Sequence, residues 1–238
     1  MKRLLLLRTL LGLLCLSPLM GLAQFECGDP YNYNGHAYET VLIGSQCWFA
    51  ENLRSENYEN GDAIPANLSD SDWSSTSSGA LAVFGEGNSD CQNESSYGDA
   101  CDDEVWSLNE YGRLYNWYAV DDGRGLCPSG WHIPSDEEFT ELTVFLGDYY
   151  NVGETLKDDI GWDGINSSGF SALPGGYRSD EGGFYQSGFA GHFWTSTSLE
   201  SPPWMAWNRQ LNNDDDSVSR LGGEKEQGFS VRCVQEAD

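Results

Sequence analysis

Six cysteines behind an apolar leader restrict this chain more than any other feature. The leader, MKRLLLLRTLLGLLCLSPLMGLA, has basic Lys2 and Arg3, a leucine-rich run after Arg8, and small residues at Gly21 and Ala23. That order is the pattern of a secretory signal over residues 1–23, with cleavage expected after Ala23. The apolar run is too short for a spanning helix, and no stop-transfer pattern follows it. Leu14 precedes Cys15 where a lipid-anchor signal carries a small residue, so a secreted or cell-surface protein is expected rather than a lipoprotein. Cys27, Cys47, Cys91, Cys101, Cys127 and Cys233 remain. An even set in an exported chain points to disulfides rather than to metal or redox use. No C-x-x-C occurs, so a zinc site has no support from spacing. Six cysteines allow 15 pairings, and sequence selects none of them. The preferred set takes Cys27–Cys47 and Cys91–Cys101 as local staples and Cys127–Cys233 as a long closure. In the chain-entropy model that closure contributes about 4–5 kcal/mol.

Taking 23 residues from 238 leaves 215, enough for a single large domain over 24–238. Three basic residues leave with the leader, which moves the formal charge from −26 to −29. Such a charge repels nucleic acid and anionic lipid and attracts cations. Disorder is the other outcome of strong acidity. However, nine Trp, 12 Tyr and 10 Phe supply enough apolar area for a core.

The stretch YNYNGHAYETVLIGSQCWFAENL reads as successive hairpins. Its turns fall at Asn34-Gly35 and Gly44-Ser45, and its strands at Tyr38–Ile43 and Cys47–Ala50. Residues 55–106 are rich in Ser, Asp, Asn and Gly and read as a long surface insertion stapled by Cys91 and Cys101. Asn67, Asn93 and Asn166 open glycosylation sequons, which matter only in a host that glycosylates them. In SLNEYGRLYNWYAVDDGRG, the spacing of Leu108, Tyr111, Leu114, Tyr115 and Tyr118 predicts a helix ending near Asp121. Gly112 makes a strand through Leu114–Tyr118 the competing reading.

CPSGWHIPSDEEFTELTVFLG, residues 127–147, packs a cysteine, a histidine and three consecutive acids together. The residues suit a metal site or an acid–base pair, but each has a structural use. Ser135 and Glu138 make the S-x-x-E capping box, and Asp136 and Glu137 fall where a helix dipole favours negative charge. Phe139, Leu142 and Leu146 share one face, and Gly147 supplies the stop. His132 is then a packing or hydrogen-bonding residue.

Downstream, Asp158, Asp159, Asp163 and Asn166 match no calcium-loop template and read as a solvated loop. From His192 the period becomes two. HFWTSTSL, WMAWNRQL, SVSRL and GFSVRCVQ read as four strands of an antiparallel meander. In the second, Met205, Trp207, Arg209 and Leu211 share one face, and Trp204, Ala206, Asn208 and Gln210 the other.

Seven segments in order carry a resemblance: 38–54, 111–120, 127–142, 156–157, 169–178 (GFSALPGGYR), 193–198 (FWTSTS) and 228–234 (GFSVRCV). They resemble the Fibrobacter succinogenes major paralogous domain, a family of exported bacterial proteins. That family is similar to C-type lectin-like folds, especially the formylglycine-generating branch. The resemblance implies an α+β, C-type lectin-like architecture of two helices beside a twisted antiparallel sheet with long loops on one side. It also implies a Cys127–Cys233 bridge. The Glu-Pro-Asn or Gln-Pro-Asp and Trp-Asn-Asp segments of calcium-dependent lectins are missing, since WNR at Trp207–Arg209 lacks the acid. No cysteine pair aligns with that of the formylglycine enzymes.

No cofactor is therefore expected, and calcium has no motif behind it. No GxSxG, HExxH, P-loop or dinucleotide fingerprint appears, so the chain is read as a non-enzyme. The expected function is exported recognition of a glycan or protein through the loops between the C-terminal strands, with no nucleic acid and no membrane span. The candidate contacts are Trp194, Trp204, Trp207, Asn208, Arg209, Asn212, Asn213 and Asp214, with one or two of the three tryptophans expected in the core. The alternatives are a structural or adhesive surface protein and, less favoured, a polysaccharide-acting or formylglycine-type enzyme.

Overall fold

The computed structural model of the chain describes residues 25–87, 89–93 and 99–237. The leader with its cleavage site, and part of the Asn93 sequon, lie outside these residues. In chain order the strands are β1 (Tyr31–Tyr33), β2 (His36–Tyr38), β3 (Thr40–Ile43), β4 (Gln46–Phe49), β5 (Leu81–Ala82), β6 (Cys91–Asn93) and β7 (Leu114–Asn116). They continue as β8 (Gly175–Arg178), β9 (Phe184–Ser187), β10 (Ala190–Ser198), β11 (Met205–Asn212), β12 (Asp215–Glu224), β13 (Gly228–Ser230) and β14 (Val234–Glu236). The helices are α1 (Asp70–Ser75), α2 (Glu104–Tyr111), α3 (Trp117–Val120), α4 (Asp136–Leu146) and α5 (Gly153–Leu156). The architecture is mixed α and β, dominated by sheet. Among the described residues no helix is long and apolar enough to cross a membrane.

The central sheet runs β12-β11-β10-β13-β8-β9-β6, with β7 added to β13 and β5 to β7. A smaller sheet, β14-β4-β3, and the β1–β2 hairpin complete the strand pairing. Both N-terminal turns lie where the sequence signals them, with Asn34, Gly35 and Gly44 at positive φ. The pairing is not uniformly antiparallel, however. β10 runs parallel to both β13 and β8, and β6 runs parallel to β9.

Three expectations are corrected here. The single helix predicted to end near Asp121 is divided: α2 stops at Tyr111, the competing strand reading holds over Leu114–Asn116, and α3 ends at Val120 with Asp121 as its cap. Gly112 (φ 72°) turns the chain because a Cβ there would sit 3.0 Å from Asn52 and from the Leu53 carbonyl. Leu114, Tyr115 and Asn116 then pair with Ser230, Phe229 and Gly228, so long-range strand pairing outweighs a helical spacing. The four-strand meander has three members, β10, β11 and β12. The fourth strand crosses to the far side of β10, where Phe229 lies against Trp194 with ring centroids 4.2 Å apart. Residues 55–106 are not a surface excursion. Trp73, Ala80, Ala82, Phe84 and Ala100 are buried in a core cluster of their own, closed by Tyr111, Leu114 and Phe184.

All three preferred disulfides form, Cys27–Cys47, Cys91–Cys101 and Cys127–Cys233. The longest ties the segment before α4 to the link between β13 and β14, inside the largest core cluster. In that same link Arg232 is fully buried, and burial pulls its pKa down to about 9. Its guanidinium donates to the carbonyls of Phe49, Phe170 and Ser171 and to Asn52 Oδ1. One side chain thus satisfies backbone at the end of β4 and in the distant 170–171 segment, which keeps buried carbonyls paired.

The α4 capping box forms as expected. Ser135 Oγ accepts from the Glu138 amide at 3.1 Å, and the Ser135 amide donates to Glu138 Oε2 at 2.7 Å. His132 sits 2.5 Å from the other Glu138 oxygen, so it orients the cap. Phe139 and Leu142 pack against Trp48, Phe170 and Phe193, which seats α4 on one face of β10 and β11. On the opposite face of that sheet Trp194 and Ala206 enter the largest core cluster, and a smaller cavity lies beside them.

Candidate binding site on the open sheet face

Strand register decides which side chains meet. His192 and Trp194 alternate on β10, opposite Gln210 and Asn208 of β11, and Asn208 stands opposite Leu221 of β12. β13 contributes Phe229, β8 contributes Tyr177 and β9 contributes Gln186. Apart from the underlying Trp194, these residues line a cavity of about 240 Å³ with Gly222, Gly223 and Gln227. Its floor is aromatic. His192 stacks on Phe229 at 4.9 Å between ring centroids, Tyr177 meets His192 edge-on at 5.1 Å, and Trp194 lies beneath Phe229. Gly223 is required above that stack, because a Cβ there would come within 2.8 Å of Phe229 and 2.9 Å of Trp194.

The wall is built from amides. Gln186 Oε1 lies 2.9 Å from His192 Nε2, and an amide oxygen can only accept, so Nε2 carries the proton. Burial holds this imidazole neutral, with its pKa lowered to about 3. Gln210 Nε2 donates to Asn212 Oδ1 at 2.8 Å, and Gln227 Oε1 accepts from the Glu224 amide at 3.0 Å. Each glutamine therefore has one end of its amide fixed, and its other end makes no hydrogen bond among the described residues. Gln186 is held at φ 63°, a left-handed conformation uncommon outside glycine. Asn208 is 2 % exposed, and its Oδ1 is buried without a partner. Its Nδ2 donates to the Leu221 carbonyl at 3.1 Å, which fixes the orientation of that acceptor. Among the described residues lining this cavity none is Asp, Glu, Lys or Arg.

The eight candidate contacts part company in space. Asn208 lies in this cavity. Trp194 is fully buried below it, donating from Nε1 to the Tyr115 carbonyl at 2.8 Å, and so belongs to the core rather than to a ligand surface. Trp207 and Arg209 point to the α4 face, where Arg220 lies 3.4 Å above the Trp207 ring and Arg209 binds Asp136. Trp204 is 59 % exposed in the link before β11. Asn212, Asn213 and Asp214 form the β11–β12 hairpin. The loops thus hold some of the candidates, but the cavity is on the sheet. Tyr177, Gln186, His192, Gln210, Gln227 and Phe229 were not anticipated. The signal was the alternation of His192 with Trp194 and of Asn208 with Gln210, which puts rings and amides on one face once the register is known.

Among the described residues no group of three or more His, Cys, Asp or Glu side chains is placed to hold a metal ion. Among curated proteins, none matches the chain. The family model of the Fibrobacter succinogenes major domain matches residues 41–235, from β3 to β14 and through every strand of the central sheet. The chain belongs to the Fibrobacter succinogenes major domain family.

Proposed function

We propose that this protein is a non-catalytic, exported recognition module that holds one ring of a neutral glycan on the open face of the central sheet. The observation that carries this reading is that, among the described residues, none lining the cavity is ionised, in a chain of net charge −26. A cavity without fixed charge favours neutral ligands, since an ionic group entering it loses hydration without a counter-charge. Sugar hydroxyls match what is present. They exchange hydrogen bonds with the free ends of Gln186, Gln210 and Gln227, while the buried Asn208 supports the wall from below. The apolar face of a pyranose matches the Tyr177, His192 and Phe229 rings. The volume lies below the usual range for drug-sized ligands, which suits a single ring whose neighbours extend into solvent. Export is supported by three disulfides, which persist in oxidising compartments. A C-type lectin-like fold is supported by the capped α4, the long Cys127–Cys233 closure and the central GFS strand that leads into buried Arg232.

A glycan array followed by titration calorimetry tests the reading. Gln210→Ala and Gln186→Ala each remove one or two hydrogen bonds worth about 0.5–1.5 kcal/mol apiece, so affinity should fall roughly 2- to 10-fold or more. Glycan hits with affinity unchanged in both variants, or capture only of proteins, would place recognition elsewhere.

A further inference from the structure

A second cavity, of about 650 Å³, lies on the other side of β12, between that strand and α4. Its inner wall holds Arg209 and Arg220, paired across β11 and β12. Both guanidiniums bind one carboxylate. Asp136 accepts from Arg209 Nη2 at 2.7 Å and from Arg220 Nε and Nη2 at 2.7–3.0 Å. One carboxylate therefore contacts both guanidiniums, with Glu137 as a further acid near Arg209, at a place where Arg209 is 3 % exposed. Arg209 makes its hydrogen bonds through Nη2, to Asp136 and Thr140, and its buried Nε has no partner. Arg220 is anchored from both sides, by Asp136 and by the Trp207 ring, yet its side chain is 45 % exposed. An immobilised, half-open Arg220 guanidinium, backed by a buried Arg209 that adds positive charge beneath it, is a preorganised receptor for a carboxylate.

The rest of the cavity narrows the ligand. Tyr149 and Tyr150, ring centroids 4.0 Å apart and both exposed, form an aromatic flank, and Val144 adds an apolar rim. Asp215 stands at the cavity too, its carboxylate oriented by the amide and hydroxyl of Ser217. An acid at that position accepts hydroxyl donors and disfavours ligands of high negative charge. We propose that this cavity binds a uronate-type sugar acid, with the carboxylate toward Arg209 and Arg220, the ring face on the tyrosines and hydroxyls to Asp215. Leu221 is the one lining residue the two cavities share among the described residues. The inference deepens the glycan reading but occupies separate residues.

The test is titration of the full disulfide-bonded protein with galacturonate and glucuronate oligomers, alongside neutral galactose and glucose oligomers. Saturable uronate binding that weakens at least 10-fold in Arg220→Gln and in Val144→Glu supports the site. Val144 is 64 % exposed on α4, so its variant brings a repelling carboxylate to the rim without touching the ion cluster. Gln210→Ala should leave monomeric uronate binding unchanged while weakening neutral ligands, which separates the two cavities. Absence of saturable uronate binding, or binding equal in Val144→Glu and the parent protein, would overturn the proposal even if neutral glycans bind.

Discussion

Replacing Asp136 with alanine removes the carboxylate that Arg209 and Arg220 share. Asp136 and Arg209 have side-chain exposures of 7 % and 4 %, so the variant leaves a buried guanidinium without its counter-charge. Breaking such a pair costs about 3–5 kcal/mol. Two features pull the figure toward the lower end. Arg220 is half-exposed and can turn to water, which reduces its share. Arg209 also retains the carbonyl of residue 136 and Thr140 Oγ1 as acceptors. The expected loss is therefore about 3 kcal/mol, equivalent to a fall in Tm of roughly 6–12 °C for a chain of this size. Urea unfolding with disulfides intact, followed by tryptophan fluorescence and far-UV circular dichroism, measures it, and the two transitions should coincide. A paired replacement, Asp136→Leu with Arg209→Leu, removes the buried charge together with its partner and should return to within about 1 kcal/mol of the parent. A loss below about 1 kcal/mol for Asp136→Ala would refute the reasoning. So would a paired variant whose cost equals the sum of the two single ones.

His192 supplies a pH signature. Its folded-state pKa, near 3 through burial, lies below its unfolded value of about 6.5. The unfolded chain therefore takes up this proton first, and the stability held by the neutral imidazole is complete above pH 6.5 and declines as pH falls toward 3. Urea midpoints between pH 6.5 and 5 should drop more steeply in the parent than in His192→Gln, and parallel slopes would discard this assignment. His132 behaves oppositely, because its bond to Glu138 raises its pKa. Its contribution is complete below pH 6.5 and is lost as pH rises through the raised value, so His132→Ala should cost more at pH 6 than at pH 9. Among the disulfides, paired Cys→Ala replacement at 127 and 233 should cost about 4–5 kcal/mol against about 3 for 91 and 101, since their sequence separations are 106 and 10. Equal losses would show that loop entropy does not set the order. Gly223→Val should destabilise by roughly 1–3 kcal/mol and abolish neutral-glycan binding, because its side chain meets Phe229 and Trp194.

Features set by neighbours in sequence were legible from the residues. The Ser135–Glu138 cap, the Asn34-Gly35 turn and the alternation of β11 are local chemistry, and each appears in the expected place. What failed was decided by residues far apart. Helical spacing through Leu108–Tyr118 is broken because Gly112 must pass Asn52, and the last strand leaves the meander because Phe229 belongs beside Trp194 and His192. The site follows the same division. The alternation of β11 places Asn208 on this face. Tyr177, Gln186 and Phe229 join it only through β8, β9 and β13, whose order in the sheet no local pattern reveals.

Lys157 is 1 % exposed, and its ammonium donates to the main-chain carbonyls of Asn212 and Asp215 and to the Asp216 carboxylate. Two of those three holds grip backbone, so the tip of the β11–β12 hairpin is secured without regard to the side chains of Asn213 and Asp214, both exposed. Such an anchor makes the tip permissive. New residues grafted at those two positions inherit a rigid mount, which makes the hairpin the natural place to give this scaffold a different specificity by design.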